Sequence, residues 1–155
     1  MKSVGAQASI LKASEALQSC LTGAGTQEQF STGSALFRED DSNAGVYLVL
    51  KGRVCLSVRN LPKLDRVFTR GSVLGLPSTF TARPYSLTAI AITDSDIVHV
   101  GQEDFLRLMR DRTDLCGEAT TMLGREVSFI QSALAQRRKQ IAAKKISGME
   151  TVPIM

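Results

Sequence analysis

The stretch GSVLGLPSTFTARPYS, residues 71–86, holds the residue types in this 155-residue sequence that could most readily bind a charged ligand. It combines glycine and proline breaks with small hydroxyl residues, and its only charged side chain is Arg83. Glycine allows close backbone approach, and hydroxyl and guanidinium groups hydrogen-bond phosphate oxygens. The loop could bind a phosphate, cap a barrel or simply connect two elements, and the residues alone leave these alternatives open.

No motif of an enzyme accompanies this loop. The sequence lacks the P-loop, HExxH and GxSxG patterns. Its densest acidic cluster, FREDDS at 37–42, lies in a predicted turn, where Asp40 and Asp41 are expected to shape and solvate the chain. We therefore expect no catalytic residue and no enzymatic activity.

The residues that could bind a metal or react with oxidants are few and scattered. Cys20, Cys55 and Cys116 form no CxxC pair and are too few for a typical iron–sulfur cluster, and His99 is the only histidine. We expect packing roles for all four residues, and no metal or cofactor. A haem or redox sensor that uses His99 or a cysteine is a weaker alternative; Cys116, near a predicted helix N-terminus, is one candidate thiol.

The elements that must position the loop are short strands between helices. Apolar and β-branched runs separated by turn signals lie at 46–50, 54–58, 66–69, 87–93 and 96–100. This spacing predicts a sandwich or closed barrel over residues 26–100. Helical periodicity predicts an N-terminal helix over 8–21, with Ile10, Ala13, Leu17 and Leu21 on one stripe and Leu11 off it, and a short helix over 102–111.

A long helix is predicted over 114–146, followed by a flexible tail at 146–155. Thr120 and Arg137 occupy seam positions of its a/d pattern, and the apolar seam consists of Leu123, Val127, Ile130, Leu134 and Ile141. Since this helix is longer than the rest of the domain can cover, we expect a parallel homodimer through it; the alternative is that it folds back on the barrel.

Charge and hydropathy limit the partners. The last 25 residues hold five lysines and arginines against one acidic residue, while the remainder of the chain is neutral. Without interleaved aromatic residues, this basic run is expected to solvate a helix end and not to bind nucleic acid. No segment has the apolar length of a membrane span or a signal peptide, so we expect a cytoplasmic location and no membrane partner.

The order of elements, together with STGSALFREDDSNAGVYLVLKGRVCLSV, closely resembles the sensor domain of the Crp/Fnr superfamily, the cyclic-nucleotide-binding domain. The positions that match its pattern are Gly33, Asp40, Gly45, Tyr47, Lys51, Gly52 and Val54. The resemblance covers about residues 26–140 and implies a mainly β fold with flanking helices. That fold is a double-stranded β-helix, or jelly roll, within a sensor domain over 1–145, with a long C-terminal dimerisation helix.

The resemblance also implies that the loop after Gly71 is the phosphate-binding cassette. Gly75 and Ser86 match the family pattern, but Leu76 stands where the family has a ribose-binding glutamate and Tyr85 where it has a phosphate-binding arginine. The candidate ligand-binding residues are Gly75, Leu76, Arg83, Tyr85, Ser86, Leu87 and Thr88. We expect that Arg83, two residues away and followed by Pro84, does not replace the missing arginine.

The sequence therefore predicts a non-catalytic regulatory module with a degenerate cassette, which acts through dimerisation and through contacts with a protein partner. No direct DNA binding is expected, because the helix-turn-helix domain of the family regulators is missing after the long helix. The alternative is a genuine receptor for a cyclic nucleotide or another anion, bound by backbone amides, Ser86, Thr88 and Arg83.

Overall fold

The computed structural model describes residues 11–151. The helices are α1 (Glu15–Ala24), α2 (Leu76–Thr81), α3 (Gln102–Asp111) and α4 (Thr113–Thr151), with a 3-10 turn at Pro62–Leu64. The strands are β1 (Thr26–Phe30), β2 (Ala35–Phe37), β3 (Val46–Lys51), β4 (Val54–Ser57), β5 (Arg66–Phe68), β6 (Val73–Leu74), β7 (Thr88–Ala91) and β8 (Ser95–Val100).

The eight strands form two four-stranded antiparallel sheets. Their orders are β1-β8-β3-β6 and β2-β7-β4-β5, so strands that are distant in sequence become neighbours. This connectivity is the expected jelly roll, and it arises because each sheet buries an apolar face against the other. One apolar cluster fills the space between the sheets, and a second lies between the first sheet and the helices.

Strand β3 is continuously apolar because both of its faces are buried. Tyr47 and Val49 belong to the cluster between the sheets, whereas Val46 and Leu48 belong to the cluster beneath the helices. Successive side chains of a strand point to opposite faces, and here both faces are covered. Strand β4 is covered on one face only, so its residues alternate between buried and half-buried.

The N-terminal helix differs from the sequence prediction. It begins at Glu15, after the N-cap Ser14, whose hydroxyl accepts a hydrogen bond from the Leu17 amide, and it continues to Ala24 instead of ending at 21. Serine is favoured at the N-cap because its oxygen accepts a hydrogen bond from a backbone amide of the first turn that would otherwise have no partner. Leu11, predicted off the helical stripe, is buried ahead of the helix, while residues 8–10 lie outside the described residues.

The C-terminal helices lie close to their predicted places. Helix α3 has the predicted limits, and α4 spans 39 residues, one residue earlier and several later than predicted, so the expected tail begins later. Residues 152–155 of that tail lie outside the described residues. Where the structure describes the chain, no helix has both the length and the hydropathy needed to cross a membrane.

Candidate functional site

The loop at 71–86 contains a short helix that the sequence analysis missed. Gly75 is the N-cap of α2 in the left-handed region, with φ 92°, and Pro77 lies in the first turn. A Cβ on Gly75 would lie 3.0 Å from the Gly45 carbonyl oxygen and 3.3 Å from Cε1 of Tyr85. Glycine is therefore required here both by backbone conformation and by close packing.

Tyr85 occupies the interior of the cassette. It is buried, its ring stacks on Phe37 with centroids 4.1 Å apart, and its hydroxyl donates to the Gly45 carbonyl over 2.7 Å. The same hydroxyl accepts from the Ala44 amide over 3.0 Å. The residue at the position of the family's arginine is thus a neutral side chain whose polar group already has both a donor and an acceptor.

The backbone around Tyr85 is fixed by the acidic turn. The Asp40 amide donates to the Tyr85 carbonyl over 2.8 Å, and the Tyr85 amide donates to the Asp41 carbonyl over 3.0 Å. Burial, with a smaller contribution from the nearby Asp41 carboxylate, raises the pKa of Tyr85. Negative charge therefore lies next to the position where the family pattern places a cation.

The other cassette residues do not converge on one point. Leu76 is buried in the apolar cluster beneath the helices, and Leu87 is buried in the cluster between the sheets. Arg83 and Ser86 are exposed. The Thr88 hydroxyl accepts from the Glu39 amide over 3.0 Å.

A second polar feature lies where strand β5 meets helix α4, and sequence reasoning missed it. Arg66 and Glu126 are each buried and form a bidentate pair, with Nη1–Oε1 and Nη2–Oε2 distances of 2.6 and 3.1 Å. The guanidinium carbon lies 4.2 Å from the ring centroid of Phe129 and 5.3 Å from that of Phe68. An arginine within a short strand gave no signal, because its partner is 60 residues away.

Next to this pair is a partly enclosed cavity of about 120 Å³ between the barrel and α4. Arg66 lines it, and its Nε is buried without a hydrogen-bond partner among the described residues. The remaining lining residues are Val58, Leu61, Leu64, Ser86, Leu87, Phe129, Ile130, Ala133 and Leu134.

Some residues of the predicted dimer seam pack against the barrel, and others do not. Ile130 and Leu134 line the cavity against the barrel, and Leu123 packs at the edge of the cluster beneath the helices. Val127 is half-buried, and Ile141 is an exposed large apolar side chain. Part of the a/d pattern is therefore explained by packing within the chain.

The residues proposed for haem or redox chemistry have structural partners. Nε2 of His99 lies 2.5 Å from the Ala44 carbonyl oxygen, and Nδ1 lies 3.7 Å from a Glu28 carboxylate oxygen. The ring also stacks on Tyr47. Burial raises the pKa of the Cys55 thiol, which disfavours its reactive form. Among the described residues, no three histidine, cysteine or acidic side chains are grouped to hold a metal ion.

The comparisons with known proteins agree with this fold. The family model of the cyclic nucleotide-binding domain matches residues 27–112, more than half of the chain. The cGMP-dependent 3',5'-cGMP phosphodiesterase A of Dictyostelium discoideum is 28% identical over 89 residues, which are 57% of this chain and 10% of that protein. The chain therefore spans about a tenth of that curated relative.

Solved structures share the fold at low sequence identity. The c-di-GMP responsive regulator CLP of Xanthomonas campestris has a TM-score of 0.66 and 12% identity, over 90% of this chain and 74% of that one. The Thermus thermophilus catabolite activator protein has a TM-score of 0.57 and 21% identity, over 88% and 60%. The chain belongs to the cyclic nucleotide-binding domain family, and it has the fold of Crp/Fnr sensor domains.

Proposed function

We propose that this chain is a non-catalytic regulatory module whose cassette does not bind a cyclic nucleotide, and whose signal passes through helix α4. The observation that carries the proposal is the placement of Tyr85. Its ring fills the cassette interior, and its hydroxyl is paired to Ala44 and Gly45. A cyclic phosphate would have to displace this side chain and leave two backbone groups without partners, which is costly in a buried site.

The charges around the cassette also oppose an anion. Asp41 lies near Tyr85, whereas Arg83 is exposed and its amide donates to the Ser78 carbonyl at the end of α2. A buried anion needs a cation or several amide donors in the same place. This is why the alternative of an anion receptor built from Arg83, Ser86 and Thr88 has less support.

Calorimetric titration with cyclic AMP and cyclic GMP tests the closed cassette. We expect no saturable heat at micromolar protein concentrations. The matched variant is Tyr85→Ala, which removes the ring while Arg83 stays in place, and it should also fail to bind because no cation is supplied. Micromolar binding by the unmodified chain would overturn the proposal.

The output through α4 is proposed as a parallel homodimer. Helix α4 extends beyond the barrel, and its residues 138–145 are exposed, including Ile141 at 41%. An exposed apolar side chain in register with half-buried Val127 fits a seam that a second α4 covers. The exposed basic residues beside it would remain solvated, and a protein partner could join the same surface.

Sedimentation velocity tests the dimer. Val127→Glu with Ile141→Glu should yield a monomer, because each copy would place a charge in an apolar seam. Ser128→Glu, exposed and outside the seam, is the control and should remain dimeric. An unmodified chain that sediments as a monomer, or a seam variant that remains dimeric, would contradict the pairing.

The haem and redox alternatives have less support because both ring nitrogens of His99 face partners. A visible absorption spectrum without a Soret band is the expected result for the purified protein. We also propose that the module works in the cytoplasm.

A further inference from the structure

We propose that the outer face of the sheet β2-β7-β4-β5 is an association surface, on which two copies of this chain pair face to face. The apolar cluster beneath the helices draws its strand residues from β3, β6 and β8, so the helices cover the other sheet. The inference goes beyond the proposed function, because helix α4 contributes no residue to this face.

A row of apolar side chains crosses all four strands of this face. Ala35 of β2 lies opposite Ile90 of β7. Cys55 of β4 lies between Ile90 and Val67 of β5. The four residues are half-buried and belong to neither apolar cluster of the described residues, whereas their apolar strand neighbours belong to the cluster between the sheets. Because a water-facing sheet normally carries polar residues on its outer face, this row requires an explanation.

Ile92 extends the apolar patch beyond the row. It follows Ile90 by two residues and therefore lies on the same face, and its amide donates to the Arg53 carbonyl over 2.9 Å. At 37% exposure it is one of two large apolar side chains that are exposed among the described residues. A contiguous apolar patch on the surface marks an interaction site, whereas a single exposed apolar residue does not.

The two sides of the row carry opposite charges. Arg53 precedes Cys55 by two residues, and Asp65 precedes Val67 by two residues. Since β4 and β5 are antiparallel, Arg53 and Asp65 lie on opposite sides of the row, each about 7 Å from it. Both side chains are exposed, and neither forms an ion pair among the side chains that the structure describes.

This distribution of charge makes the face complementary to itself. A two-fold axis that lies in the interface and runs along the row places each row residue opposite its own counterpart. The same rotation reverses the strand direction, so Arg53 of one copy lies over the side that carries Asp65 of the second copy, and this pairing occurs twice. Opposite charges at these positions favour a second copy of the chain as the partner.

The association is expected to be weak. The strands of this face are only three or four residues long, and small interfaces give weak complexes. We expect a dissociation constant of about 0.1–1 mM. Face-to-face pairing is then unpopulated at micromolar concentrations, and it joins dimers formed through α4 into larger assemblies only where the chain is concentrated.

Sedimentation equilibrium of the full chain with Val127→Glu and Ile141→Glu isolates this face from the α4 seam. We expect a monomer at about 10 µM and a substantial fraction of dimer at about 500 µM. NMR spectra over the same range locate the surface. The amides of Cys55 and Ile90 should shift with concentration, whereas the amide of Ser128 on α4 should not.

Reversal of charge tests the complementarity in the same background. Arg53→Glu should weaken the association about tenfold, because like charges then meet on both sides of the row. Arg53→Glu with Asp65→Arg restores opposite charges and should restore the association. Arg110→Glu is the matched control, since it changes the net charge equally on the exposed surface of α3, and it should have no effect. All four substituted positions are exposed or remote from the core, so these variants should fold.

A chain that remains monomeric at about 500 µM would end the proposal. Concentration-dependent shifts confined to other surfaces, or an Arg53→Glu variant that associates as tightly as its parent, would also overturn it. Failure of the double variant to regain association would show that the two charges do not meet across the interface. None of these outcomes bears on the proposed function, which fails instead if a cyclic nucleotide binds the cassette or if the helices do not pair.

Discussion

The cassette and the junction of the barrel with α4 deal with polar groups in opposite ways. In the cassette, Tyr85 carries no charge, and its hydroxyl is satisfied by neighbouring backbone. At the junction, Arg66 and Glu126 form a buried ion pair, and Nε of Arg66 has no hydrogen-bond partner among the described residues. The difference shows that the buried basic side chain, Arg66, lies beneath the long helix and not in the cassette.

The contrast between the cassette and the junction predicts that substitutions in the Arg66–Glu126 pair reduce the free energy of unfolding most. Glu126→Ala leaves Arg66 buried without a partner, and we expect a loss of about 3–5 kcal/mol in the free energy of unfolding. Urea denaturation measures it. Arg125→Gln, exposed on the same helix, should change stability by less than about 0.5 kcal/mol.

Replacing both Arg66 and Glu126 tests whether the loss of stability comes from an unpaired charge. Arg66→Met with Glu126→Leu removes both charges and should be far less destabilised than Glu126→Ala, because no unpaired charge remains. If the double variant were as unstable as the single one, packing and not charge would explain the loss.

A smaller effect is expected in the cassette. Tyr85→Phe keeps the ring on Phe37 but leaves the Gly45 carbonyl and the Ala44 amide without their partner. The expected loss is about 1–3 kcal/mol by urea denaturation. Thr121→Ala removes an exposed hydroxyl that water can replace and should have almost no effect.

The dependence of stability on alkaline pH tests the burial of Tyr47 in the aromatic interior. Burial first, and then the negative charges of Glu28 and of the Tyr85 phenolate that forms at alkaline pH, raise the pKa of Tyr47 well above its usual value of 10.0. The native state therefore retains a proton that the unfolded state loses, and stability declines as pH rises above about 10. The urea midpoint should fall less steeply for Tyr47→Phe than for the unmodified chain between pH 9 and 11; parallel curves would contradict this account.

The smallest effect is expected at Arg83. Because this side chain is exposed, Arg83→Ala should change the free energy of unfolding by less than about 0.5 kcal/mol and should not alter any response to cyclic nucleotides. A loss of ligand binding on this substitution would mean that Arg83 does supply the missing cation.

Those parts of the fold and of the candidate site that depend on local sequence patterns could be predicted. Turn signals and alternating residues such as those of β4 predict a sandwich or closed barrel, whereas the jelly roll and the replacement of an arginine by Tyr85 are implied by the family resemblance. Helix α2 was missed because Gly75 and Pro77 are also loop signals. The Arg66–Glu126 pair and the cavity beside it depend on contacts across 60 residues, for which no local pattern exists.

The predicted dimer seam teaches a related lesson. An a/d pattern shows which side chains share a helix face, but not what covers that face. Ile130 and Leu134 face the cavity within the chain, whereas Ile141 is exposed. Of the seam residues, half-buried Val127 and exposed Ile141 are therefore left for a second copy.

The most direct test of a cassette closed by Tyr85 is an NMR titration with cyclic GMP and cyclic AMP, followed at the amides of Gly75, Gly45 and Ala44. These amides belong to the backbone that Tyr85 contacts or closely approaches. We predict no saturable shift up to millimolar nucleotide. A saturable shift of Gly75 together with Ala44 would show that the phosphate displaces Tyr85, and it would contradict the account.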